Sequence, residues 1–445
     1  MKRKWLAFGI ILLFIGVAVA PSINTSVVKA SDDTDLVEVT AKACGIKGYG
    51  NSTAKLPVYR KHFFPIYIMN NDDLKGIQGK LRGVISGSGT QDNPYIISGW
   101  DVQSRRLISR IFETYDGIHL ENIDKYVIIK NNYIHDIYDR AITLENCKNV
   151  TVEDNIITGS DCGVHCFAYP DYSVCVIRNN TVFENTFGIT VAYSYDIIMN
   201  NIVSKSYRGI ICNSANALVV YNTVFSNDFI GIDLIGADKS LITYNTIYGN
   251  GESGIGVGVP YHYNNPASII SNNEIYSNGR NGISCWIPMN TTILNNRIYW
   301  NYWDGIHISD SNPTIINNTI FENGIYGINI TGDLGLTIDH NNISKNNIGI
   351  RSYLTDSRII TNNNFTQNSL FGIKCQSSHP QIHDNNFVGN GCAVFGDGWM
   401  GLVNATWNWW GAANGPSGNG PGAGDPVSEN VDYEPWLTSP NPDAG

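Results

Sequence analysis

His119 and Glu121 stand two residues apart in "DGIHLEN", Glu145 follows in "AITLEN", and His165 follows in "DCGVHCF". An imidazole with a pair of carboxylates is the equipment of general acid–base chemistry on sugars, and the same groups can share a proton or a divalent ion. Asp116 lies at the edge of this set. A second set is Asp304, His307 and Asp310 in "YWDGIHISD", where Trp300 and Trp303 add rings that can stack on a sugar. The first set is not a local motif, so its meaning depends on what brings residues more than 20 positions apart onto one surface.

That element is a repeat. A Gly or Ala followed by an apolar residue recurs at Gly117, Ala141, Gly163, Gly188, Gly209, Gly231, Gly254, Gly282, Gly305, Gly327, Gly349, Gly372 and Ala393. The spacings run from 21 to 28 and are mostly 22 or 23. An asparagine recurs in the same period, from Asn132, Asn155 and Asn180 through Asn385. Within each unit short runs alternate apolar and polar residues, as in "GIHIS", "TIINN" and "TIFEN", and are rich in Ile and Val with Gly or Asn between them. The pattern leaves no room for helices of useful length. It predicts an all-β, single-stranded right-handed parallel β-helix of about 12–13 coils with three short strands per coil. An Asn at one bend of every coil would tolerate left-handed backbone angles and bond to the next Asn along the stack.

Strand alternation then reads the surface. If the residue after the repeat Gly points inward, the next points outward, and stacking gives a column of His119, Thr143, His165, Thr190, Ile211, Asp233, Gly256, Ser284, His307, Asn329, Arg351 and Lys374. Two positions further on stand Glu121, Glu145 and Phe167. Glu121 and Glu145 on adjacent coils would be roughly 5 Å apart, and His119 and His165 roughly 10 Å apart. The catalytic candidates are Glu121, Glu145, His119 and Asp304. Asp116, His165, Asp233, Trp300, Trp303, His307 and Asp310 are candidate substrate contacts. A solvated sheet face would also carry such polar residues with no further role. In "DCGVHC" the alternation turns Cys166 inward opposite His165, which reads as a buried thiol rather than a zinc ligand. His262 falls in an insertion, "VPYHYNNP", that would stand off the rod near Asp233.

Five regions follow: residues 1–30 as an export signal, 31–60 as a lead segment, 61–113 as an N-terminal cap with irregular first coils, 114–400 as the repeats, and 401–445 as a Trp-, Gly- and Pro-rich C-terminal cap and tail. Lys2, Arg3 and Lys4 precede an apolar run ending at Ala20, and cleavage after Ala30 fits the small-residue rule, with a retained anchor as the alternative. A net charge of −10 with 15% charged residues gives no basic footprint for nucleic acid. The nine cysteines are scattered and do not form a framework; a bridge within Cys147 to Cys175 is the pairing an exported protein would make.

The "GIxI…IxNNxIxxN" units, "GSGTQDNPYIISGW" and "NWWGAANGPSG" resemble the right-handed β-helix repeats of the carbohydrate-binding and sugar-hydrolase class, and more narrowly the NosD-like β-helix proteins of exported archaeal and bacterial origin. The resemblance implies that fold, export and, for the NosD-like group, a part in copper delivery. The residues show no His or Met cluster suited to copper, nor the paired-Asp and G-H-G motifs of polygalacturonases. The expectation is a secreted or cell-surface rod that binds an extended polysaccharide or cell-surface glycan along its outward strand face. It would cleave or modify that glycan as a lyase, hydrolase or epimerase, with Ca²⁺ or another divalent ion as the only cofactor in view. A structural or adhesive rod, or a NosD-like periplasmic accessory without catalysis, is the alternative.

Overall fold

In the computed structural model the described residues are 59–62, 64–103, 115–169, 173–236, 239–258, 267–286, 290–332, 335–355, 358–399 and 401–445, together with the backbone of two short strands, Ser26–Lys29 and Glu38–Ala41. Those two strands pair antiparallel and belong to a separate unit, Met1–Tyr59. The export signal, most of the lead segment and the His262 insertion lie outside the described residues.

Residues 60–445 form a parallel β-helix with almost no helix of its own. Each coil runs through three sheets. Sheet I has 16 strands and contains Ile118–Glu121, Arg140–Glu145 and Asp304–Ser309; sheet II has 14, including Val127–Lys130; sheet III has 14, including Tyr133–His135. Through the repeats each strand pairs in parallel with the equivalent strand of the coils before and after it, so the repeat of the sequence becomes the register of the stack; at the N-terminal edge of sheet II Val84–Ser86 pairs antiparallel with Tyr95–Ser98. One or two inward positions per strand build the core. Ile118, Ile142, Val164, Ile189 and Ile210 stack from sheet I, Ile129, Val152 and Ile177 from sheet II, and Ile134, Ile157 and Val182 from sheet III, all fully buried. Burying one such side chain contributes about 1.5–3 kcal/mol.

The cysteines occupy the same kind of place. Cys166, Cys212, Cys285 and Cys375 take the inward position of sheet I that Leu120, Leu144 and Ile308 fill in other coils. The eight described cysteines are free thiols, and no bridge is made within the cluster from Cys147 to Cys175, where one was expected. The thiols are small fillers of the interior, and Cys175 Sγ donates to the Cys147 carbonyl at 3.6 Å.

Two asparagine ladders hold the coils in register. At the bend from sheet II to sheet III, Asn132 donates through both its backbone N and its Nδ2 to Oδ1 of Asn155, at 3.0 and 2.9 Å. The same pair of bonds repeats from Asn155 to Asn180 and on to Asn385 and Asn408. Left-handed angles fall one residue earlier than expected: the ladder asparagines have ordinary φ, and the residue before each carries the positive value, as at Asn131 (51°), Asn317 (54°) and His340 (53°). The "NN" doublet therefore divides the work, one Asn turning the chain and the next bonding along the stack. A second ladder at the bend from sheet III to sheet I runs through Asn227, Asn250, Asn278, Asn301, Asn323, Asn346, Asn368 and Asn390, with Nδ2 to Oδ1 distances from 2.9 to 3.3 Å. It ends on Asp425, which accepts from both the backbone N and Nδ2 of Asn390 at 2.8 Å.

Beside this ladder the repeat glycine is forced by close approach. A Cβ on Gly305 would lie 2.6 Å from the Gly327 carbonyl oxygen and 3.0 Å from Asn323 Nδ2.

The two ends of the stack are built differently. At the N-terminus a turn of 3₁₀ helix, Asn71–Leu74, and a short α-helix, Gly76–Leu81, follow the first sheet I strand, Ile66–Ile68. At the C-terminus Trp410 is fully buried and stacks on Phe387 at 5.1 Å, which itself stacks on Phe365 at 4.9 Å. Trp407 is more than half exposed, so the capping work falls on Trp410.

Asn318 donates to Ile293 O, Ile316 O and Asn341 Oδ1 and accepts from Asn296 N and Nδ2. Removing it leaves several buried polar groups without partners, at about 1–3 kcal/mol each. Asn318→Ala is expected to lower the urea midpoint more than Asn317→Ala, whose side chain stands outside the ladder; equal midpoints would show that the ladder is not what holds the coils.

Candidate functional site

The outward column of sheet I is in the register that strand alternation predicts: Tyr67, His119, Thr143, His165 and Thr190 are direct neighbours, and the line continues through Ser284, His307, Asn329, Arg351 and Lys374. Glu121 pairs with Glu145 on the next coil. The single group of three metal-capable side chains among the described residues is His119, Glu121 and Glu145, whose ligand atoms all lie within 4.8 Å of one another.

This group is held from behind. Asp116 is 6% exposed and its Oδ2 accepts from His119 Nδ1 at 2.8 Å and from Thr143 Oγ1 at 2.8 Å, while its Oδ1 accepts from the Arg140 backbone N at 3.3 Å. Tyr67 lies flat against His119, ring centroids 5.2 Å apart and 9° from parallel, and its hydroxyl accepts from the Asp116 backbone N at 3.0 Å. Burial opposes ionisation of Asp116, but the hydrogen bonds from His119 and Thr143 and the charges of His119 and Arg140 hold its carboxyl below the usual range. An ionised Asp116 fixes a proton on Nδ1 of His119 and leaves Nε2 as the working nitrogen. Nε2 is buried without a hydrogen-bond partner and stands 3.9 Å from Glu121 Oε2.

His165 is not brought into this group. Thr143 lies between it and His119, its ring stacks on Phe167 at 6.4 Å, and burial, with the Arg140 charge, pushes its pKa down to about 4. It is a neutral side chain through the ordinary pH range.

The second set repeats the first. "DGIH" occurs at 116–119 and at 304–307, and both times the Asp accepts from the His three residues on. Asp304 is 2% exposed, its Oδ2 lies 3.0 Å from His307 Nδ1 and accepts from Asn329 Nδ2 at 3.0 Å, and its Oδ1 is buried without a partner. Asp304 thus orients His307 and does not face solvent. Asn329 in turn accepts from Arg351 at 3.2 Å, and Arg351 donates to Gln376 at 3.0 Å. Asp310 lies apart at the following bend, with φ of 49°, and accepts from Ser309 at 3.4 Å. Trp300 and Trp303, with Tyr302, Glu322 and Ile325, line a cleft of 610 Å³ at the bend leading into this strand. Trp300 donates to Glu322 at 2.7 Å, and Arg280 lies over the Trp303 ring at 4.8 Å.

Asp233 is not available as a substrate contact. It is 5% exposed and paired with Arg208 at 2.8 Å, and Trp286 and Ile230 cover the neighbouring Gly256. The middle of the column, from Ile211 to Ser284, is buried, as are Thr143 and Asn329, while His119, His165, Thr190, His307, Arg351 and Lys374 are partly exposed.

Two features were passed over by the sequence reading. One is the repetition of "DGIH". The other is a run of stacked rings on sheet III, Phe225, Tyr248, Tyr276, Tyr299 and Phe321, with centroids 4.9–5.1 Å apart, against which Trp300 packs edge-on. Its signal was an aromatic residue two positions before each second-ladder asparagine from Asn227 to Asn323.

Geometry and family models agree on the class: this is a right-handed parallel β-helix protein. Residues 98–265 match the NosD model, described as periplasmic copper-binding protein, and residues 281–404 match the model of the right-handed β-helix region. No curated protein matches the chain. Solved structures with a similar fold include a mannuronan C-5 epimerase A-module from Azotobacter vinelandii (15% identity, 76% of this chain and 91% of that one, TM-score 0.46), a double mutant of the periplasmic alginate epimerase AlgG (16%, 66% and 83%, 0.48) and the Dettilon tailspike protein (14%, 61% and 62%, 0.40). Among the described residues no helix is long and apolar enough to cross a membrane.

The copper of the NosD description can be tested against the donors. Cu⁺ favours sulfur, and the described methionines Met69 and Met199 stand apart, the first after a sheet I strand and the second in sheet II, while the thiols of sheet I are in the core. One imidazole with two carboxylates suits a divalent ion, Cu²⁺ included.

Burial, partly offset by Arg208, raises Asp233 to about 6, and burial raises Asp196 likewise to about 6, although its Oδ1 accepts from Cys175 N at 2.7 Å. A carboxyl raised on folding binds its proton more tightly in the folded state, so the stability it contributes is present at low pH and is lost as pH rises from about 4 through about 6. Asp196→Asn removes one of these groups. It is expected to stabilise the protein at pH 7.5, by on the order of 2 kcal/mol, and to flatten the pH dependence of the urea midpoint between 4 and 6. A variant with an unchanged profile would show that Asp196 titrates normally.

Proposed function

We propose that this protein is an extracytoplasmic, secreted or surface-attached β-helix that binds an extended polysaccharide along the outward face of sheet I and acts on it at His119, Glu121 and Glu145. The observation that carries the reading is the clustering of those three side chains on a strand face, with Asp116 behind them and one buried imidazole nitrogen unpartnered. Two glutamates on adjacent coils with an oriented histidine can move protons to and from a sugar directly or through a bound ion, and both routes use the same side chains. The Asp304–His307 pair, with Asn329 and Arg351 along the column and the tryptophan cleft beside it, supplies polar and stacking contacts for a polymer further along the rod.

Native gels cast with neutral and acidic polysaccharides, then stained for degradation, test this. Retardation in at least one gel is expected, and Trp300→Ala should weaken it about tenfold, the scale of one lost ring contact. Glu121→Gln with Glu145→Gln should abolish turnover while leaving retardation largely intact. Absence of both retardation and clearing across the panel would turn the assignment toward a structural or adhesive rod.

A further inference from the structure

We propose that His119 Nε2 and the carboxylates of Glu121 and Glu145 hold a divalent metal ion of the borderline class, Zn²⁺ or Cu²⁺, with a position left open to solvent or substrate. It concerns the site proposed above but needs no polymer to be true.

Three independent observations converge on it. The three side chains come from neighbouring strands of sheet I, and their ligand atoms lie within 4.8 Å of one another, which is the span of donors that each stand about 2.0–2.4 Å from one ion. The histidine is prepared as a ligand. Its Nδ1 is engaged by Asp116 at 2.8 Å, the carboxylate–histidine arrangement that fixes the tautomer and raises the basicity of the other nitrogen, and Asp116 is fixed in turn by Thr143 and the Arg140 backbone N on its carboxylate and by its own backbone N on the Tyr67 hydroxyl. Lastly, Nε2 is buried without a hydrogen-bond partner, and Glu121 Oε2 stands 3.9 Å from it, too far for a hydrogen bond and within reach of a shared ion.

The contrast with the second "DGIH" supports the reading. His307 has the same orienting aspartate, but the positions that match Glu121 and Glu145 are Ser309 and Thr331, which offer no carboxylate. The site is therefore specific to the first coils and is not a general feature of the repeat. The nitrogen donor disfavours Ca²⁺ and Mg²⁺, which take oxygen ligands, and the lack of sulfur disfavours Cu⁺.

Calorimetric titration of chelator-treated, untagged full-length protein with Zn²⁺ at pH 7.5 tests it, with Cu²⁺ and Ca²⁺ as comparisons. One Zn²⁺ per chain is expected, with weaker binding of Ca²⁺. Glu121→Gln with Glu145→Gln, and separately His119→Ala, should each lower the affinity at least about 100-fold, Asp116→Asn should lower it about 10–100-fold, and Glu184→Gln should leave it unchanged. Far-ultraviolet circular dichroism shows whether each variant is folded, and Glu121→Gln alone replaces any that is not. Absence of saturable binding, or equal affinity in the glutamate variants and the parent, would overturn the proposal. Glycan retardation measured on the same samples is a separate readout, so loss of one reading does not remove the other.

Discussion

The fixed distance between coils, roughly 4.8 Å, is the constraint from which the rest of this molecule follows. A three-strand coil cannot bury its own apolar face, and stacking does so only if every coil closes in register with the next. The bends pose the hard problem, because backbone groups there turn away from the sheet ladders and would be buried unpaired. The two asparagine ladders answer it. Each amide accepts from one neighbouring coil and donates to the other, and its Nδ2 also reaches carbonyls of its own or the preceding coil, as Asn296 does with Leu294 and Ile270. Side chains of the right length at the right bend thus do for the corners what backbone pairing does for the strands. The glycine beside the second ladder is the steric counterpart: the amide packs where a Cβ would otherwise be.

This also decides what a linear reading of the residues can reach. Strand alternation and a fixed period set which residues are neighbours across coils, so His119 beside Thr143 and Glu121 beside Glu145 were legible directly. The first ladder was legible because its asparagine never varies from Asn132 to Asn385. The second was harder to see because Ser206 interrupts it and the residue before each member ranges over Glu, Lys, Ser, Gly, Trp and Gln. The left-handed position was placed one residue too late because in an "NN" doublet the two residues look alike and only the structure separates the turning one from the bonding one.

What the alternation could not supply is exposure. It assigns a side chain to the outward face, but whether solvent reaches it depends on neighbours in other coils and at the bends. Arg208 lies across Asp233, and Trp286 covers Gly256, so a residue read as outward and acidic becomes a buried ion pair. Asp116 and Asp304 stand at the bend just before their strands and fold in behind the histidines, a relation that a column read along one strand position does not contain.

The same spacing governs what chemistry a β-helix can build. Groups one coil apart can share an ion or a proton, and groups two coils apart, at roughly 10 Å, cannot. Glu121 and Glu145 satisfy this and His119 with His165 do not, which is why the fold gathers three of the four titratable residues of the first coils and leaves His165 neutral against Phe167. The two "DGIH" pairs are eight coils apart, on the order of 40 Å, far beyond direct cooperation. They can act together only through something as long as the interval between them. A repeating polymer laid along the rod is such an object, and its own period would have to match the coil spacing for both pairs to meet equivalent sugar units.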